Sequence, residues 1–180
     1  MNQKTNFICV TAMIAALYVV LTFIANAFGL ASGVIQIRLS EALTVLPFFA
    51  PAAIPGLTIG CLLSNWMTGC VLWDIIFGTL ATLLGALGSY ALRKHPWLVP
   101  IPPIAANTVI VPLVLRYAYG AADALPYMMA TVGIGEILSL EELFHEFLAG
   151  LGYGLLQGVI ELIHDALLIL RAVDFHPPPL

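Results

Sequence analysis

IQIRLSEALTVLPFF, residues 35–49, sets an arginine, a serine and a glutamate into a chain that otherwise avoids charge. Arg38 and Glu41 stand three apart, so a helix opening near Leu39 or Ser40 carries both side chains on neighbouring turns of one face, at the mouth of an apolar segment. Two readings of the pair stand open: a grip for a ligand, or an arginine that snorkels to lipid headgroups and pairs with the glutamate. Pro47 and Pro51 predict a short or kinked span.

Working outward, 61% of residues are hydrophobic, only 9% are charged, and mean hydropathy is +1.02. Soluble domains carry about 25% charged residues. The fold class is therefore an all-α integral membrane protein, and 180 residues hold about five to seven membrane crossings at about 20 residues each. No large soluble domain fits beside them. A net charge of −4, with scattered Lys and Arg, excludes a nucleic-acid partner. Cys9, Cys61 and Cys70 lie in apolar runs and read as small buried hydrophobes.

Enzyme signatures are missing. The only lysines are Lys4 and Lys94 and there is no G-x-x-x-x-G-K-[ST], so the chain has no P-loop for ATP. His145-Glu146 lacks the second histidine of H-E-x-x-H, there is no G-x-S-x-G, and the four histidines are dispersed. Neither catalysis, a metal nor a cofactor is expected.

In chain order, residues 7–28 form an uncharged run long enough to span, with no clear cleavage site, and are expected to stay as the first span. Ala12 and Ala16 on it make a small-xxx-small pair suited to close helix approach. After a glycine-bearing loop, spans are expected at residues 40–49, 57–73 and 74–92, with Gly56 and Gly60 repeating the small-xxx-small spacing. Arg93, Lys94 and His95 then mark the cytoplasmic side by the positive-inside rule, which puts the amino terminus in the cytoplasm as well. A fifth span follows Pro100, Pro102 and Pro103 and ends near Tyr117. A sixth begins near Ala124 and carries Glu136. Residues 1–139 thus form a six-helix membrane core. Residues 140–180 hold nearly half the charge, and Glu142, Glu146, Glu161 and His164 fall at helical spacing beside a Gly150, Gly154, Gly158 ridge. They read as the end of the sixth helix, an additional amphipathic helix and a Pro-rich tail.

RLSEALTVLPFF, the following PAAIPGLTIGCLLSN, Trp73-Asp74 and the GIGEILS segment resemble the QueT family of substrate-binding (S) components of energy-coupling factor (ECF) transporters. The resemblance runs over residues 7–139, and from there the acidic, glycine-ridged segment departs from the family pattern. It implies a cell-membrane S-component that captures a queuosine precursor of the 7-deazaguanine type on the outer face. It also implies docking, through an AxxxA on the first helix, onto a transmembrane scaffold subunit bearing two ATPases. Ala12 and Ala16 match that AxxxA.

A 7-deazaguanine presents two adjacent N–H donors and a carbonyl on one edge, a flat ring and, in the aminomethyl form, a cation. Carboxylates accept such donors and neutralise such a cation, which makes Glu41, Asp74 and Glu136 the candidates. Arg38 or Asn107 is expected to donate to the carbonyl, Asn65 to complete the edge, and Trp73 or Tyr127 to stack on the ring. Plainer roles stand beside these: Asp74 as the N-cap of the fourth helix, Trp73 as an interfacial tryptophan, Asn65 and Asn107 as helix-joining amides. Glu136 is hardest to explain structurally, because an acid inside a span costs roughly 2.5–3.5 kcal/mol on insertion scales. The rival function is a stand-alone small-molecule or ion transporter using Glu41 and Glu136.

Overall fold

The computed structural model describes residues 3–29 and 38–148. The chain divides into two compact units, Met1–Glu141 and Glu142–Leu180. Helix α1 is Gln3–Ala27, a ten-residue 3-10 helix occupies Leu39–Phe48, and α2 is Ala53–Met67. Helix α3 is Leu72–Ala91, a single 3-10 turn covers Pro96–Leu98, α4 is Ile101–Tyr117, and α5 is Leu125–Leu148. Among the described residues there is no strand. Gln36, the Gly150 ridge and the Pro-rich tail lie outside the described residues, as do the side chains of Glu142 and Glu146.

Among the described residues, three stretches are long and apolar enough to cross a membrane: Gln3–Ala27, Leu72–Ala91 and Pro96–Tyr117. Twenty residues of α3 rise about 30 Å, the thickness of the hydrocarbon core. The second span is short, as Pro47 and Pro51 predict. Ten residues of 3-10 helix rise only about 20 Å, and Pro47 inside it has no N–H to give. Arg38, with φ −104° and ψ 95°, is extended and precedes this helix. It therefore does not share a helical face with Glu41, as the spacing suggested.

The third span also ends earlier than residue 73. Helix α2 stops at Met67, and Gly69 turns the chain with a φ of +75°, a value that glycine adopts without the Cβ penalty. Trp73 and Asp74 consequently belong to the first turn of α3. Asp74 is its third residue and not its cap, which is Val71.

Side-chain burial runs opposite to that of a soluble protein. Ile8, Val20, Trp66 and Leu72 are half to two-thirds exposed, whereas Glu41, Thr44, Ser64 and Asn107 are buried. Outward apolar surface is what lipid requires, and the polar groups turn inward to find partners. On α3 the buried residues Asp74, Gly78, Ala81, Thr82, Gly85 and Ser89 fall at three- and four-residue intervals and form one inner stripe.

Helices α1 and α2 approach through glycine. A Cβ on Gly60 would stand 2.7 Å from Tyr18 Cβ and 3.0 Å from the Ala15 carbonyl oxygen, and one on Gly56 would stand 2.9 Å from Ile14 Cβ. Across the bundle, Gly85 and Gly88 of α3 receive Pro103 and Pro102 of α4, and Ser89 Oγ donates to the Val99 carbonyl at 2.9 Å. Tyr18, Leu43, Leu57, Cys61 and Ala86 join in one core. Ala12 and Ala16, by contrast, are exposed on the outer side of α1.

Gly60→Val drives the added methyls into Tyr18 and Ala15, and overpacking of this kind costs about 1–3 kcal/mol. The expected result is a lower melting temperature in detergent, whereas Ala16→Val on the outer face leaves it unchanged.

Candidate functional site

Thr22 and Asn26 near the end of α1, Arg38, Asn65 and Cys70 at the end of α2, Asp74 at the start of α3 and Tyr119 after α4 surround a cavity of about 430 Å³. The chain gathers them because α1, α2 and α4 finish where the 3-10 helix and α3 begin. Asp74 is 7% exposed, and its Oδ2 accepts a hydrogen bond from the Tyr119 hydroxyl at 3.0 Å. The same hydroxyl oxygen accepts the Val71 N–H at 3.3 Å. Burial, together with the adjacent Asp74 charge, raises the Tyr119 phenol above its ordinary value, so it remains a donor at neutral pH. Arg38 faces the charges of Asp74 and Glu41.

A second layer lies deeper. Glu41 is 1% exposed, yet both of its oxygens are satisfied: Tyr18 donates to Oε1 at 2.5 Å and Asn107 Nδ2 donates to Oε2 at 3.1 Å. Asn107 precedes the cavity-lining Leu115 by eight residues on α4, about 12 Å along the axis. Glu136 of α5 is buried as well, and its Oε2 has no hydrogen-bond partner among the described residues. The charged groups it faces are Glu41 and Arg38. Two carboxylates facing each other in an apolar bundle repel, and the Arg38 guanidinium that faces both offsets part of that repulsion.

Of the residues singled out from sequence, Arg38, Asn65 and Asp74 line the cavity, while Glu41, Asn107 and Glu136 form the inner layer. Trp73 does not join them. Successive helical residues turn by 100°, so burying Asp74 sends Trp73 outward, where it is 59% exposed and stacks on Phe77 with ring centroids 5.9 Å apart. Tyr127, 51% exposed, is likewise not on the cavity wall.

Among the site residues that the sequence reading passed over, Tyr18 and Tyr119 bond the acids directly. Tyr18 carried a signal: it follows Thr11 and Ala15 at seven and three residues, on the face that packs against α2, and a buried phenol demands a partner. Tyr119 carried none, because its bond to Asp74 joins the segment after α4 to the first turn of α3, 45 residues away.

Tyr18→Phe strips the carboxylate of one donor. A bond to a charged group contributes about 1.5–3 kcal/mol, so thermal unfolding of this variant is expected to show a loss of about that size. In a Glu41→Gln background the same change is expected to cost less, since the charge is gone.

Residues 8–143 match the family model described as QueT transporter. Among curated proteins, the queuosine precursor transporter QueT of Lactococcus lactis subsp. cremoris (strain MG1363) is 42% identical over 84 residues, which are 46% of this chain and 48% of that protein. The matched segment spans about half the length of that relative. No solved structure matches the chain. The family model extends over well more than half of the sequence, from α1 into α5, and on that ground the chain belongs to the QueT transporter family.

Proposed function

We propose that this chain is the membrane-embedded substrate-binding subunit of an ECF-type importer and that it captures a queuosine precursor of the 7-deazaguanine type. The observation that carries the reading is the cavity whose wall brings together Arg38, Asn65 and Asp74, at the opposite end of α3 from Arg93, Lys94 and His95. The positive-inside rule puts that basic cluster in the cytoplasm, with the amino terminus, so the cavity opens to the outside. Its volume of about 430 Å³ falls in the range of about 300–1,000 Å³ usual for small-molecule sites.

The chemistry suits the ligand. Asp74 offers an acceptor, Arg38 a forked donor and Asn65 both kinds of group, while Glu41, Asn107 and Glu136 make an acidic floor that favours a cation. The printed name of the Lactococcus relative supports the same ligand class. Energy must come from elsewhere, because the chain has no nucleotide loop, and the exposed Ala12 and Ala16 supply a flat strip on α1 for a transmembrane scaffold subunit that carries the ATPases. Lipid covers the remaining apolar surface.

Calorimetric titration of the detergent-purified chain with 7-aminomethyl-7-deazaguanine, its 7-cyano counterpart and guanine tests the reading. Selective binding at nanomolar to low micromolar strength is expected, and Glu136→Gln is expected to weaken it far more than it lowers the melting temperature. Folded protein that binds none of the three overturns the ligand class. Reconstituted alone in liposomes the chain is expected not to accumulate ligand; accumulation without partners would instead support a stand-alone transporter driven through Glu41 and Glu136.

A further inference from the structure

Three acids compete for the ligand's paired N–H edge, and their surroundings separate them. Glu41 has given both oxygens to Tyr18 and Asn107 and is 1% exposed. Glu136 is not on the wall of the cavity. Asp74 is on the wall, where Tyr119 donates to its Oδ2 at 3.0 Å and the Arg38 guanidinium faces it. A carboxylate oxygen accepts more than one donor, so Asp74 retains capacity for two parallel N–H groups.

The α3 residue one turn on completes the arrangement. A Cβ on Gly78 would stand 3.0 Å from Asn65 Nδ2 and 3.4 Å from Asp74 Oδ1. Glycine at this position therefore lets the α2 amide and the α3 carboxylate lie over the same spot. Among the described residues, the Asn65 side chain makes a long hydrogen bond, 3.6 Å from Nδ2 to Cys61 Sγ. Its amide is thus weakly committed and available to a ligand carbonyl.

Tyr119 fixes the direction of the carboxylate. Because its oxygen accepts the Val71 N–H, its own proton is directed to Asp74, and the two bonds tie the α2–α3 turn to the segment after α4. We infer that Asp74 and Asn65, side by side over Gly78, read the N–H and carbonyl edge of the ligand, and that Tyr119 is a positioning residue which holds Asp74 for that purpose. This deepens the 7-deazaguanine reading and rests on it.

The test compares 7-deazaguanine with 7-deazahypoxanthine, which lacks the exocyclic amine, by calorimetry on the full chain. Wild-type protein is expected to prefer the amine-bearing compound by about tenfold or more. Asp74→Asn, which keeps the shape but loses the charge, is expected to bring the two affinities close together while leaving the ratio between 7-aminomethyl and 7-cyano ligands unchanged. Tyr119→Phe is expected to narrow the amine preference more than it weakens binding of 7-deazahypoxanthine, a change that a merely structural tyrosine would not produce. Gly78→Ala is expected to weaken both compounds. An amine preference that survives Asp74→Asn, or one that Glu136→Gln removes instead, overturns the assignment while the ligand class stands. Loss of the aminomethyl-to-cyano ratio in Asp74→Asn overturns it too, since the ligand then sits the other way round. Wild-type protein that binds neither compound overturns the ligand class and the assignment together.

Discussion

A carboxylate withdrawn from water must recover its hydrogen bonds from protein, and Glu41 recovers them from two directions at once. Tyr18 reaches it from α1 and Asn107 from α4, across sequence separations of 23 and 66 residues. An unpaired buried charge would cost several kcal/mol, so any packing that parts these helices is penalised at this point. The 3-10 helix is clamped accordingly. It begins with Glu41 in its first turn, folds Thr44 Oγ1 onto the Glu41 carbonyl at 2.6 Å, and lies against α1, α2 and α3. What a full membrane-spanning helix would provide by length, this segment provides by polar attachment.

The remaining packing follows from where small residues sit. Two small-xxx-small pairs occur on neighbouring helices with opposite outcomes. Gly56 and Gly60 face inward and let α2 touch the backbone of α1, while Ala12 and Ala16 lie exposed on the outer face. In lipid there is little hydrophobic gain from joining two apolar helices, so close van der Waals approach and internal hydrogen bonds carry the association. The same economy appears between α3 and α4, where glycines accept prolines and Ser89 bonds the Val99 carbonyl.

Composition made the membrane class and the helical content legible, because nothing but helix satisfies its own backbone through such apolar runs. Charge placement made the candidate residues legible too: Arg38, Asn65 and Asp74 do meet at one cavity, and Glu41, Asn107 and Glu136 do gather beneath it. Helix ends were not legible where the break is apolar. Residues 57–73 contain no charge to mark a stop, and only Gly69 signals the turn. Nor does adjacency in sequence imply a shared site. Trp73 and Asp74 are neighbours in the chain and face opposite media, since a helix turns 100° between them. The partners Tyr18 and Tyr119 became visible only when the fold brought distant segments together.

The two layers of polar residues suggest a division of work within one end of the bundle. The upper layer is accessible, and its groups are partly free to exchange partners. The inner layer is saturated at Glu41 and unsatisfied at one oxygen of Glu136. On the proposed function, that gradient would orient a small polar molecule from the outside inward. Cys70, half-buried on the cavity wall, reports on it directly, as Cys61 is buried and Cys9 sits within α1. The decisive measurement is labelling of Cys70 by a membrane-impermeant maleimide in right-side-out vesicles, in a Cys9→Ala background, with and without 7-aminomethyl-7-deazaguanine. An outward-facing ligand cavity predicts labelling from the outside that the ligand suppresses. Labelling only in inverted vesicles, or labelling that the ligand leaves untouched, would contradict it.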